Sequence, residues 1–226
     1  MIRNLLTGLG LSVAWTTASC AFGGAYAGAD LGIGSASIQH NYADITGTGK
    51  STKSVTGAVY GAHVGYLYEI GTSKTIVGGE VYGNLSSMNP SFSFGTDNNL
   101  VQGDVKIKRT NAIGAAVVIG KMFNIKTMIY GRLAYEHASY EHRYTFRSTS
   151  IITQHAGKDV KKNVAVTAPV MGLGMSYKAT RMIIAGVEYQ FAGMYGKKKV
   201  LSENNFKTET DPAEHRLMLK VSFAFG

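Results

Sequence analysis

The sequence predicts an all-β fold: eight antiparallel strands closed into a barrel that crosses a membrane. Three observations predict it. Apolar residues alternate with small or charged ones, at period two, through eight separate stretches of the 226-residue chain. Each stretch reaches about the 9–11 residues that a tilted strand needs to cross a hydrocarbon layer. The joints between stretches alternate long and short, so that short turns gather at one rim and long loops at the other. A soluble sandwich has no reason to sort its loops by parity.

Composition agrees. The chain holds 28 Gly, 13 Tyr and 9 Phe but only 3 Pro, and 45% of its residues are hydrophobic. Aromatic residues suit pleated surfaces, and glycine weakens helices. The first twenty-odd residues stand apart. Arg3 supplies a positive start, Leu5 through Ala18 an apolar run, and Ser19-Cys20-Ala21 the small residues of a cleavage site. Residues 1–21 therefore read as a signal peptide and 22–226 as the barrel. Removing Arg3 lowers the formal charge from +9 to +8. Cys20 could instead carry a lipid, although Thr17-Ala18-Ser19 lacks the large aliphatic residue usual upstream of such a cysteine. With the signal removed the exported part has no cysteine, and with a lipid on Cys20 it has no free one, so no disulfide holds it.

The elements follow in order. AYAGADLGIGSA sets Ala27, Ala29, Leu31 and Ile33 against Gly28, Asp30, Gly32 and Gly34. TGAVYGAHVGYLYEI sets Tyr60, Ala62, Val64, Tyr66 and Tyr68 against Gly57, Gly61, His63 and Gly65. In TIVGGEVYGNL, Val77, Val81 and Leu85 oppose Gly78, Glu80, Tyr82 and Asn84. KRTNAIGAAVVIGKMF places Ile113, Ala115, Val117 and Ile119 opposite Gly114, Ala116 and Gly120. TMIYGRLAYEHASY places Ile129, Leu133 and Tyr135 opposite Tyr130, Arg132 and Glu136. APVMGLGMSYK pairs Met171, Leu173, Met175 and Tyr177 with Gly172, Gly174 and Ser176. MIIAGVEYQF gives Ile183, Ala185, Val187, Tyr189 and Phe191 against Gly186, Glu188 and Gln190. The last stretch, HRLMLKVSFAFG, sets Leu217, Leu219, Val221, Phe223 and Phe225 against Arg216, Met218, Lys220 and Ser222.

IGTSK, NIK and KATR make the short joints. NYADITGTGKSTKS, SSMNPSFSFGTDNN, residues 143–163 and GKKKVLSENNFKTETDP make the long polar ones. The small-and-charged face suits a narrow lumen that has room for side chains only. It collects Asp30, Glu80, Arg132, Glu136, Glu188, Arg216 and Lys220, four acids and three bases that nearly neutralise one another. The apolar face expects lipid, with Tyr66, Tyr68, Tyr177, Tyr189, Phe223 and Phe225 placed as an interfacial girdle.

On GAYAGADLGIG, GGEVYGNL with its inward Glu80, GLGMSYKATRMIIAGVEYQF and the closing strand with Phe225, the chain resembles the small outer-membrane β-barrels that include OmpA-like and opacity-type surface proteins. The resemblance covers the whole mature chain. It implies periplasmic short turns, extracellular long loops and a bacterial outer-membrane location. It also implies a last strand (Leu217, Leu219, Val221, Phe223, Phe225) read by the barrel-assembly machinery, with Gly226 after the aromatic as a departure. The resemblance also implies lumenal charges that close or gate the interior, whereas the residues themselves favour a static set of satisfied ion pairs.

The loops carry two lysine clusters, Lys158, Lys161 and Lys162, then Lys197, Lys198 and Lys199. Ammonium groups attract phosphates and sulfates, so lipopolysaccharide head groups or a host-surface polyanion or receptor are the expected partners, beside outer-membrane lipid itself. No aromatic stacking platform accompanies them, which argues against dedicated nucleic-acid binding. His137 and Ser139 share an outward strand face, as in the lipid A deacylases among such barrels, but no carboxylate sits where it would orient them. His137 and His142 lie on opposite strand faces, and the six His are scattered, so neither a metal nor a cofactor is expected. The functional expectation is a non-enzymatic surface protein, an anchor displaying four basic or polar loops for adhesion or envelope integrity. The alternative is a narrow pore for ions or small solutes, and a lipid-modifying enzyme ranks last.

Overall fold

The computed structural model describes residues 22–44, 47–95, 102–146, 159–193, 198–203 and 206–225. Ten strands make up the fold: β1 (Gly24–Asp44), β2 (Gly47–Ile70), β3 (Thr75–Ser86), β4 (Ser91–Gly95), β5 (Gln102–Asn124), β6 (Thr127–Phe146), β7 (Asp159–Lys178), β8 (Ile183–Ala192), β9 (Lys198–Glu203) and β10 (Phe206–Phe225). Eight of them form the wall in the order β1-β2-β3-β5-β6-β7-β8-β10, and β10 pairs back onto β1. Every neighbour is antiparallel, and the closing seam runs in register from Ala25↔Phe225 to Asp44↔Phe206. Closure leaves no sheet edge along this seam, the condition for strands to lie in lipid. β4 and β9 are short additions on β5 and β10.

The eight staves correspond to the eight alternating stretches, but they run further than expected. In the polar stretch 41–54, residues 41–44 and 47–54 are strand. β1 and β2 stay paired, antiparallel, up to Asp44↔Gly47. Likewise β6 extends through Phe146 and β7 begins at Asp159, so Arg143, Lys161 and Lys162 lie on strands. Beyond the hydrocarbon the outer face meets water, so it carries no greasy alternation to announce a strand. The inner face still does, with Ala36, Ile38, Tyr144 and Phe146 buried.

The faces fall as the alternation demands. Leu31, Val64, Val81, Val117, Leu133, Leu173, Tyr189 and Leu219 point outward and are roughly half exposed or more. They form an apolar belt far larger than a water-soluble monomer tolerates. The six girdle aromatics, Tyr66, Tyr68, Tyr177, Tyr189, Phe223 and Phe225, all lie on this outer surface.

The lumen is filled in three layers. Near the short turns Phe22, Tyr26, Leu67, Ile76, Val118, Met122, Met128, Tyr130 and Ile184 make one apolar cluster. Towards the long joints Ile38, Phe92, Val105, Ile107, Tyr140, Tyr144, Phe146 and Val166 make another. Charged groups occupy the middle. Two large rings fit there because glycine faces them: a Cβ on Gly114 would come within 2.4 Å of the Tyr82 ring, and one on Gly174 within 2.4 Å of the Tyr130 ring.

One irregularity changes what faces where. In β5 the register with β6 shifts between Arg109 and Asn111, which leaves Thr110 as an extra residue. Such a bulge reverses the alternation. Below it Ala112, Gly114, Ala116 and Val118 point inward; above it Arg109, Ile107 and Val105 do, and Lys108 and Lys106 point out. The Thr110 hydroxyl donates to the Ser139 carbonyl across the bulge at 3.0 Å.

Candidate functional site

The lumenal charges sort into two balanced groups. The upper one is built on Glu136, held on β6. Arg216 of β10 forks onto it, its two terminal nitrogens each 2.7 Å from a carboxylate oxygen. Arg109 donates to the same carboxylate at 3.0 Å, and the Tyr82 hydroxyl at 3.1 Å. Glu214 accepts from Arg216 Nε at 2.7 Å and also contacts its Nη2, with Arg109 Nε at 3.5 Å. Asn84 accepts from Arg109 at 2.6 Å. Two arginines thus face two glutamates, each nearly or fully buried. Planar guanidinium forks suit such bidentate pairing.

The lower group has the same balance. Glu80 receives Arg132 at 2.9 Å, Lys220 at 3.0 Å and the Tyr26 hydroxyl at 3.0 Å. Glu188 receives Tyr130 at 2.7 Å, Gln190 at 2.7 Å and Arg132 at 3.4 Å. The Arg132 guanidinium also lies over the Tyr82 ring, 4.1 Å from its centroid, which joins the two groups.

All seven residues named from the sequence face the lumen. Asp30 alone stands outside both groups, although it is opposite Lys220 in the ladder. Its carboxylate lies 2.9 Å from Nδ1 of His63, whose Nε2 lies 2.8 Å from the Ser222 hydroxyl. This Asp–His–Ser chain has the order of a hydrolytic relay. However, the cavity beside it, lined by Tyr26, Glu80, Lys220 and Ser222 among others, is only about 40 Å³. That is space for water, not for an acyl substrate. The chain ties β1, β2 and β10 together where the barrel closes.

Sequence reasoning missed Arg109, Glu214, the tyrosines as hydrogen-bond donors, and the His63 link. Arg109 shares odd numbering with the lipid-facing Ile113, so strict alternation sends it outward; the bulge brings it in. Glu214 shares the inward parity of Arg216 and was findable by carrying the last stretch two residues further back.

The predicted loop lysines fare differently. Lys158 and Lys197 lie outside the described residues, and Lys198 and Lys199 fall on β9. Lys161 and Lys162 are exposed on β7. Around Lys161 the pairing assembles a row that was not foreseen: Lys106↔Arg143 and Arg143↔Lys161, side by side on the outer wall. Lys108 and Glu141 stand opposite each other in the next row towards the belt. Arg143 approaches Glu141 at 3.9 Å yet keeps a side chain 44% exposed.

His137 contacts the Thr167 hydroxyl at 2.9 Å rather than a carboxylate. Among the described residues there is no cluster of three or more metal-ligating groups. Leu217, Leu219, Val221, Phe223 and Phe225 line the outer face of the closing strand. Residues 1–21 and Gly226 lie outside the described residues.

No protein-family model matches the chain, and no curated protein matches it in sequence. Solved structures do match in fold. The outer membrane protein OprG from Pseudomonas aeruginosa is similar at a TM-score of 0.54 and 11% identity, covering 90% of this chain and 97% of that one. The attachment invasion locus protein Ail of Yersinia pestis matches with a TM-score of 0.35 at 15% identity, over 90% and 99% of the two chains. Neisserial surface protein A gives 0.40 at 13%, over 86% and 97%. At such identities the likeness to OprG is one of fold: an antiparallel barrel.

Proposed function

We propose that this chain is a resident of a bacterial outer membrane, with its short turns in the periplasm, and acts as a surface-displayed structural anchor rather than a channel. The outward apolar belt with its aromatic rims and the fold shared with OprG support the location. The single observation that carries the role is the filled lumen: two apolar layers with a charge-balanced layer between them. A solute path would have to cross both. What remains available to partners is the part of the barrel above the belt, with its hairpins and basic strands, for adhesion or envelope integrity. Outer-membrane lipid, lipopolysaccharide and a host-surface polyanion or receptor are the proposed partners, and the outer face of β10 is the proposed signal to the assembly machinery.

Planar-bilayer recording of the refolded protein tests the role. The expected result is no resolved current above the bare bilayer. Steady single-channel steps would replace the anchor with the pore.

A further inference from the structure

We infer that the lumen has a small polar vestibule that solutes reach from the short-turn end only, and that Phe22 is its hinged stopper. This goes beyond the anchor role: one charge group becomes reachable from one side, while the barrel still lets nothing through.

The vestibule is the cavity of about 40 Å³ beside Ser222. Leu67, Met128 and Ile184 of the apolar cluster near the short turns form one part of its lining, and Ser176, Ser222 and Lys220 give it a polar part. At about 10–15 Å³ for each water, it has room for about three, and a polar cavity of that size holds water rather than staying dry. Traces of accessible surface show which charges it reaches. Lys220 keeps 8% and Ser176 9%, whereas Glu136 keeps 0% and Arg216 1%.

Phe22 closes the short-turn side. β1 starts at Gly24 and runs away from that rim, so Phe22 and Gly23 sit at the mouth, outside any strand. The first paired residue is Gly24, opposite Leu67. Yet Phe22 is only 3% exposed, packed in the apolar cluster and against the vestibule. Gly24 lets the chain turn inward there: its φ is +122°, and a Cβ on it would stand 3.2 Å from the Phe225 carbonyl oxygen. From Ala25 onward the ladders to β2 and β10 hold the chain. Phe22 is held by burial, on two successive glycines, so its ring can leave and return without breaking a pair of the sheet.

Beyond the vestibule the path ends. Arg132 bridges Glu80 and Glu188 and lies over the Tyr82 ring. The Glu136 group and the upper apolar cluster follow. Lifting the stopper therefore admits small polar solutes as far as Lys220 and no further.

The test places a thiol on the vestibule wall, Ser176→Cys, in a Cys20→Ser background of the folded protein in nanodiscs. The probe is methanethiosulfonate ethylammonium, a small cationic thiol reagent, and mass spectrometry reads the rate of labelling. With Phe22 in place labelling should be slow. Adding Phe22→Ala should speed it about tenfold or more, the shift expected when a ring's burial no longer holds the closed state. Phe22→Leu, which keeps an apolar plug, should stay near the slow rate. Ala138→Cys, fully buried in the upper cluster, should resist the reagent with or without Phe22→Ala. Equal labelling of Ser176→Cys in the two backgrounds, or Ala138→Cys reacting as fast as Ser176→Cys, overturns the inference. Planar-bilayer recording of Phe22→Ala separates it from the anchor role. Unchanged labelling in a silent barrel defeats this inference alone, whereas current steps that appear with Phe22→Ala defeat the one-sided vestibule and the anchor together.

Discussion

Glu136 shows what a single residue does in this lumen. It is fully buried and receives both terminal nitrogens of Arg216, one of Arg109 and the Tyr82 hydroxyl. Removing one partner of such a set leaves a desolvated charge, which costs about 3–5 kcal/mol; removing a whole pair costs far less. Arg216→Met should therefore lower unfolding stability by about 3–5 kcal/mol in urea titrations of the lipid-folded barrel. Arg216→Met combined with Glu136→Gln should recover most of the loss, because Arg109 and Glu214 still balance each other. A single variant costing under about 1 kcal/mol would show that water, not arginine, compensates Glu136. Seven lumenal charges were legible because alternation alone sends them inward. Their partners were not: Tyr82 and Tyr130 read as strand aromatics, and nothing in a linear sequence says whose carboxylate a phenol will reach.

At the scale of the element, the informative case is β5. Its stretch KRTNAIGAAVVIGKMF alternates cleanly from Ala112 onward, and a period-two reading extends that phase to Lys108 and Arg109. The chain instead inserts Thr110 and reverses phase, for which the sequence offers no turn residue or glycine as a signal. Deleting Thr110 removes the unmatched residue and leaves Arg109 and Ile107 inward and Lys108 outward on plain alternation, because Arg109 and Asn111 already pair with the consecutive residues Tyr140 and Ser139. The deletion variant should therefore keep most of the SDS-resistant folded band on unboiled gels. Thr110→Ala, which keeps the extra residue and removes one hydrogen bond worth about 1 kcal/mol, should fold as well. Loss of the folded band on deletion, with Thr110→Ala intact, would mean that the bulge is needed for the bend of the strand and not only for its phase. The extensions of β1, β2, β6 and β7 were illegible for a different reason: above the belt both solvents are polar on the outside, so half of the pattern disappears.

For the whole molecule the decisive property is closure. Local pattern predicts each stave, but no stretch of sequence states that the last strand returns to the first. That followed from an even count and from the need to hide edges in lipid. In the structure β10 meets β1 in one unbroken register, which includes Ser37↔Ala213 above the belt. Paired residues on adjacent antiparallel strands have Cα atoms about 4.5–5.5 Å apart, within reach of a disulfide. The chain's single cysteine, Cys20, precedes the barrel, so replacing it with Ser gives a clean background. In that background Ser37→Cys with Ala213→Cys should oxidise almost completely in the folded protein, and boiled non-reduced samples should run faster than reduced ones because the unfolded chain is looped. Ser37→Cys with Val221→Cys, two positions on one seam but far out of register, should not cross-link. A barrel that stays heat-modifiable yet fails to join Ser37→Cys to Ala213→Cys would place the closing seam in another register. Because a one-residue slip turns every side chain to the opposite face, it would also take Lys220 and Arg216 out of the lumen and leave Glu80 and Glu136 without their principal bases.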